Sequence, residues 1–370
     1  MNPRLKEWSA RVQAYRAAFV RARAKLGEYA GARSSAFERL RTHFYRALWH
    51  DTAAALGATV HDLGDEYLRI VQGSAATIVN RSDVMLDSRL ALKVAGHKPL
   101  CYRLFAEIGV PVAPHLVFDL SALDEAWKWV QARGTEVVVK PARDGSVGRG
   151  VTTGIRTKKE LQAASLRAAA NGPRLMVEQC HRGESFRLLY LDGRLLDAVH
   201  RGPPTVVGDG RSPLKKLVQA ENAGRLAGEI SALHPLRVDL EMKNYLRLAG
   251  RHLGQVPAAG EVVALKRVVN QNARRDNRSV VGSVHADTIA LGSRLVGALG
   301  LELAGIDVLT SDISHPLAET GGVVNEVNST PGLHHHYLLS NLDPSRAVAR
   351  DVLQYVLAAA EARRRGRPGT

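Results

Sequence analysis

The sequence predicts an α+β fold in which helices and antiparallel strands interleave, and three observations lead there. Short apolar runs of strand length recur, at ATVHDL, YLRIVQ, ATIVN, LMVEQ and FRLLYL. Between them lie longer stretches whose apolar residues return every three or four positions, the helical period. FRLLYLDGRLLDAVHR carries Asp192–Gly193 between two apolar runs, the signal of a hairpin and hence of antiparallel pairing.

The elements follow in order. Leu5, Trp8, Val12, Tyr15, Phe19, Ala22 and Leu26 alternate steps of three and four, one face of a helix that needs its own chain or a sister subunit to cover it, which leaves a homodimer open. Gly31 and the Ser34–Ser35 pair end it. A second helix runs from Phe37 to about Leu56, closed by Gly57. Three strands then complete a small α/β unit over about 36–95. Residues 98–110 form a helix stopped by Gly109, and Pro111 and Pro114 keep the next segment extended. Asp124–Arg133 is helical, 135–140 a strand, Lys158–Ala170 a helix. The LMVEQ strand and the hairpin follow, then a helix near 214–231 and an irregular stretch. The last third holds a helix at 285–299, strands GIDVLT and GVVNEVN, and a helix over Ser345–Ala362.

Composition bounds the function. At 370 residues the chain exceeds one core, so two or three domains are expected. No apolar run has the length of a membrane span, and the N-terminus lacks the apolar core of a signal peptide, so a cytoplasmic protein without membrane contact is expected. Cys101 and Cys180 make no disulfide framework and read as packed thiols. The net charge of +15 favours anionic partners without choosing among them. Aromatic residues make up 5% of the chain and no basic patch is interleaved with them, so nucleic acid is not the expected partner.

Three clusters carry chemistry. In VVVKPARDGSVGRGV, Lys140 ends an apolar strand and opens a loop with Gly145, Ser146, Gly148 and Gly150. Such a loop bends close to a ligand and offers N–H groups to phosphate oxygens, although a basic turn in solvent has the same composition. In VVNEVNSTPG, Glu326 and Asn328 stand two apart on a strand and so share a face. A carboxylate and an amide oxygen there suit a hard cation such as Mg2+, with Asp307 from the GIDVL strand able to join. Read alone, the pair is equally the polar face of an edge strand. In LMVEQCHRGESFR, Glu178 ends a strand, either in solvent or where a carboxylate could meet an adenine edge.

The order Lys98, Lys140 with its glycine loop, Glu178, Arg201, Asp307, Glu326-x-Asn328 resembles the ATP-grasp superfamily, and most closely the ATP-grasp module of cyanophycin synthetases. The segments that carry the resemblance are HKPLCYRLFAEIGVPVAP, VVVKPARDGSVGRGV, MVEQCHRGESFR, HRGPPTVVGDGRSPLKKLVQAEN, VHADTIALGSRLVGALGLELAGIDVLTSDI and NEVNSTPGLHHH, spanning about residues 50–345. The GDG segment and E-x-N-x-x-PG are the most specific. D-alanine–D-alanine ligases share the lysine, glycine-loop and E-x-N elements but not GDG.

The resemblance implies an ATP-grasp fold, two α+β lobes clamping ATP. Residues 1–35 are then a helical extension, 36–110 a small α/β domain, 111–183 the lid subdomain, 184–362 the C-terminal subdomain and 363–370 a basic tail. It implies that Lys98 and Lys140 hold ATP phosphates under the glycine loop. Glu178 and the backbone near Gln179, Cys180 and His181 take the adenine. Asp307, Glu326 and Asn328 hold Mg2+, and Arg201 faces the reacting acyl phosphate. The implied reaction is that of an ADP-forming carboxylate–amine ligase acting on small-molecule or peptide substrates, possible donors including an acidic amino acid or peptide. The alternative is a kinase, in which a hydroxyl takes the phosphoryl group. Lys140→Ala and Glu326→Ala are expected to abolish turnover with the fold intact.

The chain also departs from the family. Ser185 stands where an acid usually meets the ribose, and the neighbouring Glu184 points the other way along a strand. Lys266 replaces an arginine, and ARRDNR replaces a glycine pair after Asn270. Cyanophycin synthetases carry a second, Mur-ligase-like half. This sequence holds one module and is not expected to make the branched polymer alone. Among lesser candidates, His336 matches a family histidine and faces substrate, the run His334–His336 is a local turn rather than a zinc site, Asp209 is structural in its turn or catalytic, and Asn222 and Lys266 are candidate substrate contacts.

Overall fold

The computed structural model describes residues 32–143, 148–228, 233–343, 345 and 347–365. The heptad-like stripe at 5–26, Gly145, Ser146 and the last five residues of the basic tail lie outside the described residues.

Helix α1 (Ala32–Ala55) begins earlier than expected, so Ser34 and Ser35 lie within it. Tyr45, Trp49 and Ala53 recur every four residues and are fully buried, one face of the helix. The strands β1 (Thr59–Gly64), β2 (Tyr67–Gln72), β3 (Ala75–Asn80) and β4 (Asp83–Val84) form an antiparallel meander in sequence order. Asp65 and Glu66 both take positive φ, the conformation a tight hairpin between β1 and β2 requires. Next come α2 (Arg89–Ala95), capped by Ser88, and α3 (Lys98–Glu107), with Pro99 in its first turn where no backbone donor is lost.

A second antiparallel sheet runs β5-β8-β6-β7, from β5 (His115–Phe118), β6 (Val137–Pro141), β7 (Thr152–Ile155) and β8 (Leu175–Gln179). Helices α4 (Leu123–Arg133) and α5 (Lys158–Ala169) cover one face, packing Val130, Leu161, Ala164 and Ala168 on Val137, Val139, Ile155 and Val177. Thr157 and Glu160 cap α5 reciprocally, worth ~1 kcal/mol.

The third sheet has the order β13-β10-β9-β14-β15 and is antiparallel throughout, from β9 (Glu184–Leu191), β10 (Arg194–Arg201), β13 (Asn277–Ser279), β14 (Leu303–Thr310) and β15 (Val323–Asn328). Asp192 and Gly193 turn β9 into β10 with positive φ, as the sequence required. Between β10 and β13 the helix expected near 214–231 is present, and the stretch read as irregular after it holds structure of its own. β11 (Thr205–Val207) pairs with β12 (Val262–Ala264), and α6 (Leu214–Ala227) and α7 (Leu240–Leu248) close a small core around Leu214, Met242 and Leu246. Helix α8 (Ala286–Ala298) covers one face of the third sheet. Its Gly292 is obligatory, because a Cβ there would lie 2.1 Å from the Tyr190 hydroxyl. A short α9 (Leu317–Thr320) precedes β15.

Helix α10 (Val348–Arg365) packs between the meander and the other face of the third sheet, burying Val352, Leu353, Val356 and Leu357 with Leu189, Leu191 and Leu303. It runs into the arginine run, so Arg363–Arg365 form its last turn, where cations suit the carbonyl end of a helix.

Candidate active site

On β9 the residues facing α10 change character along the strand. Leu191 and Leu189 are apolar, Arg187 and Ser185 polar. Where the apolar cover ends, a cavity of about 2240 Å3 begins, walled by the second and third sheets and by α3.

The second sheet contributes Lys140 and Glu178. Val138 pairs opposite Glu178 and Lys140 opposite Met176, so the lysine and the glutamate are diagonal neighbours on the face away from α4 and α5. They form an ion pair of 2.8 Å with both side chains only 6% exposed. The sequence left Glu178 between solvent and an adenine edge. It is buried, as the counter-ion of Lys140.

The third sheet contributes a polar row. Asp307 on β14 is paired directly with Arg187 on β9 and with Glu326 on β15, and Asn328 lies opposite Gly305. Arg187 grips Asp307 with two hydrogen bonds, Nε to Oδ1 and Nη2 to Oδ2, the latter 2.8 Å. Burial opposes charge on both groups, yet each outweighs that effect on the other, holding the Asp307 carboxyl below and the Arg187 guanidinium above their ordinary ranges. Gly305 makes room: a Cβ there would sit 2.9 Å from Arg187 Cδ. Arg201, at the end of β10, lies 3.7 Å from Asp307, donates to the Val269 carbonyl at 2.8 Å, and keeps its buried Nε without a partner. Burial, and then Arg187 beside it, pull Arg201 down to about 10, which leaves it charged at neutral pH.

Helix α3 closes the space between the sheets. Lys98 at its start pairs with Glu326 at 2.9 Å. One turn on, Tyr102 places its hydroxyl 3.1 Å from Glu178 Oε2, 3.0 Å from the Asn325 carbonyl and 3.3 Å from Lys140 Nζ. Burial, then the charge of Glu178, raise the phenol well above its ordinary value, so it stays protonated.

Lys98, Lys140, Gly148, Glu178, Gln179, Cys180, His181, Ser185, Arg201, Asp307, Glu326 and Asn328 all border this cavity. Gly150 does not. Its would-be Cβ lies 3.2 Å from Ala168 Cα and from Pro141 Cγ, so that glycine serves packing on α5. Gly148 faces the opposite wall, where a Cβ would come within 2.4 Å of the Asn270 side chain. The backbone N–H groups of Gln179 and Cys180 already donate to Pro114 and Glu136, so they are not free donors. Burial pushes the Cys180 thiol up, and Arg267 contacts its sulfur at 2.7 Å. Glu184 faces away from Ser185 and meets His200 at 3.2 Å.

The histidine run separates. His334 bonds the Tyr45 hydroxyl at 2.8 Å and, with His335, borders the cavity, both kept neutral chiefly by burial. His336 is turned away, buried on Asp197 at 2.7 Å, which corrects its expected role toward substrate. Among the described residues no group of three or more His, Cys, Asp and Glu side chains is placed to hold a metal ion. Asn222 is bound on both amide atoms to Leu236 and is not available to a ligand. Lys266 borders the cavity with its ammonium on Asp239 and Gln271. Asp209 accepts from the N–H groups of Arg211 and Ser212, a structural turn. The sequence reading missed Tyr102 and Arg187. Both were within reach, since Tyr102 is four residues from Lys98 on a helix and Arg187 alternates with Ser185 on a strand.

The donor set fits magnesium triphosphate in kind. Two ammonium groups and the Arg201 guanidinium border a space with two carboxylates and an amide, the oxygen ligands a hard cation takes. Each carboxylate now carries a cation of the chain, Lys98 on Glu326 and Arg187 on Asp307.

No protein-family model matches the chain. Fold and relatives together mark the chain as an ATP-grasp protein. Within that class the chain stands close to the cyanophycin synthetases. The protein from Trichormus variabilis is 33% identical over 271 residues, 72% of this chain and 29% of the relative, so the chain spans less than a third of that relative's length. The glutathione biosynthesis bifunctional protein of Mannheimia succiniciproducens is 24% identical over 311 residues, 82% of this chain and 41% of its own. Among solved structures, a bifunctional glutathione synthetase from Pasteurella multocida superposes with a TM-score of 0.51 at 20% identity, over 82% of this chain and 42% of that one, a likeness of fold. Among the described residues no helix is long and apolar enough to cross a membrane.

Proposed function

We propose that the chain is an ATP-dependent, ADP-forming carboxylate–amine ligase. The observation that carries this is the convergence of Lys98, Lys140, Arg201, Glu326 and Asn328 on one cavity between two sheets, in a chain similar to synthetases of amide-linked products. Lys98 and Lys140 hold the triphosphate, each exchanging its present carboxylate partner for phosphate oxygens. Glu326, Asn328 and Asp307 hold Mg2+, which supplies charge neutralisation at the transferring phosphoryl group. Asp307 Oδ2 also accepts from the Asn328 amide at 3.5 Å, so a metal would take the lone pair that Oδ1 keeps beyond the one Arg187 takes. A substrate carboxylate attacks the γ-phosphorus, ADP departs, and an amine then displaces phosphate from the acyl phosphate. The Arg201 guanidinium, at the cavity, stabilises the oxyanion of that second step, an effect of ~3 kcal/mol for a well-placed donor. A cavity walled on both sides limits the access of water to the acyl phosphate.

Hydroxylamine trapping tests the reading. With Mg·ATP and a panel of amino acids and acidic peptides, a ligase releases ADP and yields a hydroxamate. ADP release with a phosphorylated alcohol and no hydroxamate identifies a kinase instead.

A further inference from the structure

We propose that Tyr102 is a positioning residue that holds the Glu178 carboxylate in place while Lys140 leaves it for phosphate, a role that rests on the nucleotide reading above. Lys98 and Tyr102 stand at i and i+4 on α3 and share a helical face. Lys98 reaches Glu326 on the third sheet. The Tyr102 hydroxyl reaches the neighbouring Asn325 carbonyl on the same strand and, on the second sheet, both members of the Lys140–Glu178 pair. The single phenol proton is shared between Glu178 Oε2 and the Asn325 carbonyl, and the oxygen accepts from Lys140. The Tyr102 ring adds to the constraint: Lys140 Nζ lies 5.4 Å from the ring centroid, and His115 packs edge-on at 4.8 Å.

The consequence concerns what happens when Lys140 leaves Glu178 for a phosphate. Glu178 Oε1 then loses its cation, while Oε2 stays hydrogen-bonded to Tyr102. The carboxylate therefore holds its place, and the lysine can return to it after each turnover. Without the hydroxyl, Glu178 has Lys140 as its one strong partner, the ion pair tightens, and phosphate must compete harder for the ammonium. Phosphate binding should suffer and nucleoside binding should not.

Full-length wild type and Tyr102→Phe are titrated with Mg·AMP-PNP, and with adenosine by competition. The expected result is AMP-PNP affinity at least tenfold weaker in Tyr102→Phe, with adenosine affinity within twofold of wild type. A purely structural role would move both together. Equal weakening of both ligands, or no change in AMP-PNP, overturns the proposal. Wild type that binds no AMP-PNP overturns the nucleotide reading and this role with it. Should Tyr102→Phe not fold, Tyr102→Phe/Glu178→Gln, whose amide needs no proton from the phenol, is compared with Glu178→Gln alone. An AMP-PNP affinity unchanged between those two then supports the role, because the hydroxyl acts through the carboxylate, and a tenfold difference overturns it.

Discussion

The Lys140–Glu178 pair gives the most exact energetic prediction. Both side chains are 6% exposed and 2.8 Å apart, so solvent screens neither. Breaking such a pair on one side strands the other charge, at a cost of roughly 3–5 kcal/mol, whereas removing both charges together is close to neutral. Tyr102 still bonds Glu178 when the lysine is gone, which places Lys140→Met near the lower end, about 3 kcal/mol. Lys140→Ala is therefore expected to cost stability as well as turnover. Urea denaturation of the nucleotide-free wild type, Lys140→Met, Glu178→Gln and the double variant gives the coupling directly. The double variant should be at least ~2 kcal/mol more stable than the sum of the single losses implies. Additivity within ~0.5 kcal/mol would refute the reasoning, since it would mean the two charges do not depend on each other.

Other outcomes follow from the same geometry. Arg201→Met should lower kcat by about 10²–10³ while the KM for ATP changes little, measured by ADP release, because the guanidinium is assigned to the acyl-transfer step. Gly305→Ala should cost ~1–3 kcal/mol in urea titrations, as its Cβ meets Arg187 at 2.9 Å and Pro331 at 3.0 Å, while Gly297→Ala on α8, with nothing within 4 Å, should be neutral or stabilising. Glu66 is held below its ordinary carboxyl range first by its hydrogen bond from Arg81. A depressed carboxyl stabilises the fold fully above about pH 5 and progressively less as pH falls through its folded value. Glu66→Gln should thus cost ~0.5–1 kcal/mol near neutrality and nothing at low pH, by thermal melts across that range.

The sequence was most legible where a local rule decides. The Asp192–Gly193 turn, the alternation that puts Glu326 and Asn328 on one strand two residues apart, and the helix ends at Gly57 and Gly109 follow from short-range chemistry and appear as expected. The stretch after the helix near 214–231 was read as irregular because β12 is three residues long and α7 is mostly polar, its stability coming from docking on β7. Glu241 accepts from the backbone N–H and hydroxyl of Thr153, a partner 88 residues away that no window reveals. The site shows the same division. Residue types that carry phosphate or metal chemistry were visible. Their pairing was not, since Glu178 as counter-ion of Lys140 and Arg187 as grip on Asp307 depend on which strands are neighbours. Gly150 and His336 fall outside the cavity for that reason too, each claimed by an element distant in sequence.

The most direct test is a crystal structure of the chain with Mg·AMP-PNP. The account predicts one nucleotide in the cavity between the second and third sheets, with Lys98 and Lys140 on its phosphate oxygens and Glu326 and Asn328 on the metal. A nucleotide bound on another surface, or phosphates in the cavity with both ammonium groups still on Glu326 and Glu178, would contradict it.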